Sequence, residues 1–401
     1  MKDVKWLDML KLKASYGVQG NDNLLDNNGY DQYYAYAPQY KPSWSSTAGY
    51  SLTMTWSGNE DLTWESSKSF NIGVDFALFK NRLSGTIEYF SRKTSDMLYF
   101  KDVPLSSGNV TGFIPVNIGS MTNRGVEFNI NGVAYKSNDV EVDLNLNLTH
   151  YKNEITELDP SVEKDGIKTG SRILRVGGSI YNAYMRRYAG VDPETGKGLY
   201  YKKEKDKDGN ETGRDLTTDV FSDADQYDLG TIMPSLYGGF GANVRAYGFD
   251  FGMQLSFQLG GKVYDATYQA LMHTQNNIGS AWHKDAMNAW SYDNKGSDIP
   301  RLDGDTQVGQ TSVDRFLVSS DYLSFNNVQL GYTFPKKLIT PLTLSALRVY
   351  VSVENLAVIS ARKGLDPRFS MGVGGYSSGM GMTTSSYSAM RTITAGLTVS
   401  F

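Results

Sequence analysis

Apolar and polar residues alternate along this chain in runs of about nine to twelve residues. In the run VEVDLNLNLTHY, apolar residues from Val140 to Leu148 occupy every second position, and acidic, amide and hydroxyl residues fill the positions between them. The final residues, ITAGLTVSF, keep this pattern up to Phe401. A period of two predicts a β-strand with two unlike faces. The pattern recurs in LKLKASYG, SFNIGVDFAL, GVEFNINGVA, FDFGMQLSFQLGG, NNVQLGYTFP and LRVYVSVENL.

The length of these runs favours strands that cross a membrane. Strands of soluble proteins usually have about five or six residues, whereas a tilted strand needs about 9–11 residues to cross the hydrocarbon core. A soluble sandwich also alternates, so the period alone does not separate the two. Aromatic residues near predicted strand ends are typical of girdles at the membrane surfaces, although aromatic residues also favour strands in general. These residues are Tyr151, Tyr332, Phe334 and Phe401.

The connections between the runs are alternately short and long. The short ones are residues 80–82, 136–139, 247–248 and 335–341, and the long ones cover about 19–65, 98–118, 153–233, 264–320 and 357–389. Transmembrane barrels have short turns on one side and long loops on the other, and long structureless loops are rare in compact soluble domains. We therefore expect about ten antiparallel strands, or twelve if segments near 49–57 or 178–189 also pair. The C-terminus then lies on the short-turn, periplasmic side.

The composition agrees with a strand-rich chain and excludes several kinds of site. The 401 residues include 27 Tyr and 41 Gly but only 11 Pro, as in strands joined by turns and polar loops. The absence of Cys excludes disulfides, zinc–thiolate sites and thiol catalysis. A formal net charge of −4 argues against nucleic acid as a partner.

Membrane-targeting signals of the usual kinds are not found in the sequence. It has no run of about eighteen apolar residues that would predict a transmembrane helix. The first residues, MKDVKWLDMLKLKASYG, lack the apolar core of a secretory signal. Taken alone, this second observation predicts a cytoplasmic protein, and it carries less weight if the chain is part of something longer.

The sequence does not predict an enzyme, because we find no catalytic constellation in it. Carboxylate pairs such as Glu154 and Glu157 could suggest a glycosidase, but we interpret them as ordinary acidic residues of exposed loops. The glycine-rich segments Tyr237–Asn243 and Met371–Met382 are not followed by a helical pattern. We therefore interpret them as a strand start and a loop rather than as phosphate-binding loops.

One acidic segment is a candidate for a calcium-binding loop. The segment DKDGNETGRD, Asp206–Asp215, loosely resembles such a loop, but Glu211 stands where an EF-hand requires glycine. Asp-Gly is first of all a turn signal. Ca²⁺ in an outer loop therefore stays a hypothesis, and we expect no other metal and no cofactor.

An aromatic cluster in the first long loop is the best candidate for substrate contact. The segment YDQYYAYAPQYKPSW, Tyr30–Trp44, lies on the outer side by the alternation of short and long connections. Exposed aromatic clusters mark recognition surfaces. Packing between loops, or against a partner lid, is the alternative interpretation. The candidate residues, with two tryptophans of a later loop, are Tyr33, Tyr34, Tyr36, Trp44, Trp282 and Trp290.

Several segments resemble SusC/RagA-type TonB-dependent outer-membrane transporters, in family order and over nearly the whole chain. The matching segments are LKLKASYGVQGN, LTWESSKSFNIGVDFALFKNRLSGTIEYFSRKTSDML, VNIGSMTNRGVEFNI, YAGVDPETGKGLYY, MPSLYGGFGANVRAYGFDFGMQLSFQLGGKVYD, DYLSFNNVQLGYTFPKKL, LRVYVSVENLAVIS, GLDPRF and the final strand. The resemblance implies an all-β fold, a transmembrane antiparallel β-barrel, of which this chain supplies the last ten to twelve of 22 strands.

The resemblance also implies how the chain is organised. Residues 1–401 correspond to the C-terminal part of the barrel, whereas the signal peptide, the carboxypeptidase-like repeat, the TonB-contacting segment and the plug domain are not in this sequence. We therefore expect a fragment that does not transport by itself. Phe401 corresponds to the terminal aromatic residue that serves as the barrel-assembly signal.

The function implied is uptake of oligosaccharides or oligopeptides across the outer membrane of Bacteroidetes-type Gram-negative bacteria. The implied partners are a SusD-like surface lipoprotein, the TonB–ExbB–ExbD complex through the missing N-terminal part, and the barrel assembly machinery. A similar acidic segment of the family lies near Asp206–Asp215. Two alternatives stay open: a standalone small outer-membrane barrel with a structural or adhesive role, and a soluble β-rich enzyme such as a secreted glycosidase.

Overall fold

A computed structural model of the chain describes residues 4–24, 31–47, 49–109, 111–272, 279, 281–302, 313–369 and 388–401. The predicted glycine-rich loop Met371–Met382 and the first residue of the aromatic segment, Tyr30, lie outside the described residues.

The described part of the chain consists mainly of strands. In chain order they are β1 (Leu7–Asn21), β2 (Gln39–Ser45), β3 (Gly49–Trp56), β4 (Glu65–Leu78), β5 (Leu83–Ser95), β6 (Leu98–Asp102), β7 (Phe113–Asn117), β8 (Gly119–Lys136), β9 (Val140–Leu158), β10 (Ile167–Thr169), β11 (Arg172–Leu174), β12 (Asn182–Arg186), β13 (Tyr188–Val191), β14 (Gly198–Lys205), β15 (Glu211–Thr218), β16 (Gln226–Thr231), β17 (Leu236–Ala246), β18 (Phe249–Leu259), β19 (Lys262–Tyr264), β20 (Leu317–Ser319), β21 (Tyr322–Thr333), β22 (Ala346–Ser360) and β23 (Thr392–Ser400). Short α-helices are α1 (Pro160–Glu163), α2 (Ala266–Leu271) and α3 (Lys336–Ile339). Within the described ranges, no helix is both long and apolar enough to cross a bilayer.

Ten long strands form one antiparallel sheet, which we call the wall. Its order is β1-β4-β5-β8-β9-β17-β18-β21-β22-β23, so each wall strand pairs with the next one along the chain. This confirms the predicted all-β barrel fold and the count of ten strands. Strands β1 and β23 lie at opposite edges and do not pair with each other. The wall is therefore an open part of a larger barrel, and the closed ten-stranded barrel required by the standalone alternative is not formed.

The expectation that two further segments could pair in the wall is wrong. The segment near 49–57 forms β3, which pairs with β2 in a separate hairpin. The segment near 178–189 contributes β12 and β13 to two small sheets outside the wall. These segments alternate in sequence like wall strands, but they are too short to span the hydrocarbon core.

The register of the wall aligns the alternating apolar residues of neighbouring strands on one face. Leu146 of β9 lies opposite Ile130 of β8 and Phe240 of β17, and the same matching continues across the sheet. A one-residue slip would turn the apolar set to the other face. At Ala134, β8 has one residue more than its partner strand β9. This extra residue forms a local bulge, beyond which the apolar residues return to the apolar face.

The wall connections follow the predicted short and long alternation. The turns comprise residues 79–82, 137–139, 247–248 and 334–345, and the loops comprise residues 22–64, 96–118, 159–235, 260–321 and 361–391. Because consecutive strands are antiparallel, all five loops lie at the same end of the wall.

The long loops have their own hydrophobic core. Five small sheets lie in them, and buried residues of loops 159–235 and 260–321 pack together. Burial raises the pKa of the Tyr188 phenol beside this core to about 12. The described parts of loops 159–235 and 260–321 thus form a folded unit rather than structureless segments. The core residues are Ala183, Met185, Tyr200, Ala224, Ile232, Tyr264, Met272, Ala286, Ile299, Val313 and Phe316.

Candidate functional site

The hairpin β2–β3 presents an exposed apolar face at the loop end of the wall. Its register places Tyr40 opposite Met54, Pro42 opposite Leu52, and Trp44 opposite Tyr50. Since alternate residues share a face, these six side chains lie on one side, which we call the hairpin face. Trp44 is 65% exposed, Leu52 72% and Tyr50 86%.

The opposite side of the same hairpin is polar and internally hydrogen-bonded. The Ser43 hydroxyl lies 2.8 Å from the Ser51 hydroxyl and 3.0 Å from that of Thr53. The hairpin is therefore amphipathic, and the large side chains Tyr40, Trp44, Tyr50 and Leu52 of its apolar side are exposed. A contiguous apolar surface of this kind is typical of a binding site.

The base of the hairpin is fixed to the neighbouring loop. Trp56 is buried, donates its indole N–H to the Ala35 carbonyl at 3.1 Å, and makes edge contacts with Phe100 and Phe113. The Asn59 side chain donates to the carbonyl of Pro115, 2.8 Å away. These contacts hold the hairpin in a defined position relative to the neighbouring loop 96–118.

The predicted tyrosines lie beside the hairpin around a cavity of about 540 Å³. Tyr33 and Tyr36 line it together with Trp64, whereas Tyr34 does not. The Tyr33 hydroxyl donates to Asp31 at 2.9 Å, and this hydrogen bond raises the pKa of the phenol. The remaining described lining residues are Asp22, Asn23, Leu24, Asp31, Gln32, Ala35, Glu60, Leu62, Thr63 and Leu98.

The cavity lining combines aromatic rings with carboxylates and contains no Lys or Arg among the described residues. Rings can stack on the apolar faces of sugars or on peptide side chains, and carboxylates accept hydrogen bonds from hydroxyl and amino groups. The cavity therefore suits a ligand with several donor groups.

The two later tryptophans have different environments. Trp282 is 50% exposed, so it is free to contact a ligand. Trp290 is only 7% exposed, donates its indole N–H to the Pro193 carbonyl at 3.1 Å, and covers Gly196 so closely that a Cβ there would come within 2.3 Å of the ring. In this structure Trp290 packs between loops, so we withdraw it from the substrate-contact candidates. Gly196, in the segment ETGKG, was the available sequence signal for this packing.

The acidic segment proposed for calcium forms a tight turn. One Asp206 carboxylate oxygen accepts the backbone N–H groups of Asp208 and Asn210 at 2.9 and 2.8 Å. The hydrogen bond from the Asn210 backbone is the main cause that lowers the pKa of Asp206. No group of three or more acidic or histidine side chains in the described ranges is arranged to hold a metal ion. Asp206 thus acts as a turn former here.

The two carboxylates considered for catalysis are engaged in contacts with neighbouring side chains, an ion-pair network for Glu154 and a hydrogen bond for Glu157. Glu154 accepts from Lys152 at 2.8 Å and from Arg124 at 3.3 Å. Glu157 accepts a hydrogen bond from the Ser120 hydroxyl at 3.3 Å. Both glutamates lie in β9 rather than in an exposed loop, so their expected location was wrong.

The polar face of the wall carries charges that are neutralised locally. Lys13 bridges Asp75 at 2.9 Å and Glu88 at 3.4 Å. Further along the sheet, Arg348 donates to Asp250 at 3.0 Å. The interior of a barrel built from this wall would be charged and hydrated, as is typical of transmembrane β-barrels.

Sequence reasoning missed two ion pairs of the last loop, one that joins it to Asp265 of another loop and one within the last loop itself. Arg362 contacts Asp265, whose side chain is 1% exposed. Arg368 pairs with Asp366 at 2.6 Å and also donates to the hydroxyl of Ser324 at 2.9 Å. Burial is the largest single influence on Asp366 and raises its pKa, but the hydrogen bond from Arg368, the charge of Arg368 and backbone hydrogen bonds together outweigh it and lower the pKa. The segment GLDPRF contributed to the resemblance, yet its sequence does not identify these partners.

Phe401 lies just beyond the last wall pair. Its side chain is 91% exposed, and its carbonyl accepts a hydrogen bond from the Ser345 hydroxyl at 3.2 Å. Its role as an assembly signal stays a prediction.

Comparison with known proteins gives consistent matches along the chain. Residues 4–230 match the family described as TonB dependent receptor-like, beta-barrel. The TonB-dependent receptor SusC of Bacteroides thetaiotaomicron is 29% identical over 93% of this chain and 36% of that protein. The TonB-dependent receptor P3 of Formosa agariphila is 28% identical over 100% of this chain and 40% of that protein.

Solved structures agree with these relatives. The structure of the RagAB peptide transporter matches with a TM-score of 0.76 and 28% identity, over 100% of this chain and 42% of that chain. The RagAB peptide importer in the 'open-open' state gives a TM-score of 0.78 and 26% identity, over 100% and 41% of the two chains. The present chain thus spans about two fifths of the length of the proteins it resembles.

Proposed function

The chain belongs to the TonB dependent receptor-like β-barrel family of outer-membrane proteins, and on that premise we propose that it is part of an importer of oligosaccharides or oligopeptides. In this proposal the chain supplies ten wall strands and five outer loops. Sequence outside this chain would supply the plug and the contact with the TonB–ExbB–ExbD complex. The barrel assembly machinery would insert the wall, with Phe401 as part of its signal.

The observation that carries the proposal is the arrangement of wall and loops. Ten two-faced strands keep one apolar face in register, and every long loop lies at one end. The likeness to the RagAB transporter extends over the entire chain rather than over a few strands. The acidic, aromatic cavity at the loop end supports capture of a polar ligand there.

We further propose that a SusD-like surface lipoprotein is the partner and that it covers the hairpin face. The face is apolar and exposed, and its base is held by the buried Trp56. A rigidly placed apolar surface lowers the entropic cost of binding another protein. Trp and Tyr are also the residues most often found at the energetic centre of protein interfaces.

Uptake by living cells tests the proposed transport. A strain lacking the gene is supplied with labelled oligosaccharides or labelled oligopeptides, each alone, and uptake is measured with and without a protonophore. We expect energy-dependent uptake of one class to be lost and to return when the gene is restored. Unchanged uptake of both classes in the deletion strain would overturn the transport proposal.

A double substitution in the hairpin face tests the partner proposal. We expect Trp44→Ala with Leu52→Ser to reduce co-purification of the lipoprotein at least about tenfold, because central aromatic residues dominate such interfaces. Lys41→Ala with Thr53→Ala, on the polar side of the same hairpin, is the matched control and should retain the partner. Equal retention by both variants would refute the role of the hairpin face, whereas the amount of inserted barrel shows that assembly is intact.

A further inference from the structure

The apolar face of the wall contains a groove of about 680 Å³ near the short-turn end. It crosses β5, β8 and β9, where Leu83, Ile130 and Leu144 form its sides. Gly132 lies at its centre, opposite Leu83 on one strand and Leu144 on the other. The bulge at Ala134 interrupts the row of side chains next to it. The groove therefore exists because β8 lacks a large side chain where its neighbours have leucine.

The space above Gly132 is open rather than filled by the backbone of a neighbour. A Cβ placed on Gly132 would find Leu83 at 3.5 Å and the Arg82 carbonyl oxygen at 3.7 Å, which are ordinary contact distances. Glycine is not required here by a close approach of strands. Because Gly132 has no side chain, the groove forms above it, and a larger side chain at this position would fill the groove.

A single cationic residue, Arg82, lines the groove at the turn between β4 and β5. Its backbone is held, because its carbonyl accepts the Val133 N–H at 2.7 Å. Its guanidinium forms no ion pair within the part of the chain that the structure describes. Two cationic residues at the ends of nearby strands differ in this respect, since Lys136 of β8 and Arg245 of β17 both pair with Glu141, at 2.7 and 3.6 Å.

We propose that this groove binds an anionic glycerophospholipid, with an acyl chain against Gly132 and the phosphate at Arg82. The wall faces hydrocarbon on this side, and the turn that carries Arg82 lies where hydrocarbon meets the aqueous phase. An arginine there matches a phosphate group in charge and in hydrogen-bonding geometry. Basic residues beside apolar grooves at the membrane surface are known to select anionic lipid headgroups.

A second groove on the same face provides a comparison within the molecule. It measures about 530 Å³ and is lined by Phe249, Leu330, Val351 and their neighbours on β18, β21, β22 and β23. Its lining contains no Lys or Arg. We expect this second groove to be filled by lipid chains without headgroup preference. The selectivity of the first groove thus depends on Arg82 rather than on apolar shape alone.

Native mass spectrometry of the protein as expressed from its own gene tests the proposal. The delipidated protein is titrated with phosphatidylglycerol, with phosphatidylcholine of the same chains, and with inorganic phosphate. We expect one phosphatidylglycerol to bind at least about tenfold more tightly than phosphatidylcholine, and inorganic phosphate alone not to bind. Equal binding of the two lipids, or binding of inorganic phosphate at the same site, would overturn the lipid proposal.

Substitutions locate the site. Arg82→Gln should remove the preference for phosphatidylglycerol, and Lys337→Gln, in the turn between β21 and β22, is the control that should keep it. Gly132→Leu should displace the lipid while leaving Arg82 in place. If the Gly132→Leu variant does not assemble, the Arg82→Gln variant still tests the proposal. An unchanged lipid preference in Arg82→Gln would refute the role of Arg82. The outcome of the lipid titration does not depend on which substrate is imported, because lipid binding requires only that the wall lies in a bilayer.

Discussion

Replacing Leu146 with arginine is expected to destabilise the inserted wall by about 2–4 kcal/mol, the cost of a cationic side chain on the lipid face near the bilayer midplane. Leu146 lies about halfway along the bilayer-spanning part of β9, with Ile130 and Phe240 on the strands to either side. The row formed by Ile130, Leu146 and Phe240 contains no hydrogen-bond acceptor for a guanidinium. The free energy of unfolding from lipid vesicles in urea, measured on the protein expressed from its own gene, is the quantity to compare.

The matched control is Asn147→Arg, one residue further along the same strand. Asn147 points to the polar face, opposite Asn129 and Gly239. A cation there remains hydrated, so we expect a change within about 0.5 kcal/mol. A similar loss of stability in both variants would mean that the two faces do not differ in environment, and the membrane-spanning assignment of the wall would be wrong.

The wall could be predicted from sequence because each strand carries its own evidence. In the run 140–149, period two and the nature of the polar face indicate a strand, whereas residues 153–158 were expected in a loop and instead extend β9 to Leu158. Three of the nine neighbouring pairs in the wall are joined by turns of two to four residues, and strands joined so closely have few ways to pair other than antiparallel. The bulge at Ala134 could not be predicted, because nothing in GVAYK distinguishes an extra residue from a normal alternation.

The candidate site was predicted less completely, because burial in loops depends on distant partners. Tyr33, Tyr36 and Trp44 are exposed as expected from an aromatic-rich loop. Trp290 lies in a similar sequence setting but is covered by residues almost a hundred positions away, at Pro193. A tryptophan in an aromatic loop segment is therefore exposed in one case, Trp44, and buried between loops in the other, Trp290. Only the tertiary structure distinguishes the two.

The ion pair between Arg362 and Asp265 shows the same limit for charged residues. The two lie 97 positions apart, and neither has a sequence context that indicates burial. Asp265 also caps α2 by accepting the Tyr268 N–H at 2.9 Å, and the Arg362 guanidinium lies 4.9 Å from the centre of the Tyr268 ring. One arginine from the last loop thus neutralises a carboxylate at the centre of the loop core.

Arg362→Ala is therefore expected to weaken the local structure around α2 by about 3–5 kcal/mol, because it leaves the buried Asp265 carboxylate without its cation. Asp265 is 1% exposed, so water cannot replace the guanidinium without opening the loop core. Amide hydrogen exchange of Ala266–Leu271 in the membrane-inserted protein measures the free energy of local opening. We expect exchange there to approach that of an open loop while exchange in the wall strand β9 is unchanged.

Lys295→Ala is the control for this experiment, because Lys295 pairs with Glu194 at 3.2 Å on the surface. Both partners are exposed, at 45% and 77% of their side chains, and such pairs contribute at most about 1 kcal/mol. Comparable protection losses in the two variants would show that the Asp265 carboxylate is solvated after all, and that the last loop is not held by this pair. If only Arg362→Ala loses protection against amide hydrogen exchange, the local structure around α2 depends on the charge of Arg362. The last loop then stabilises the core formed by the other outer loops.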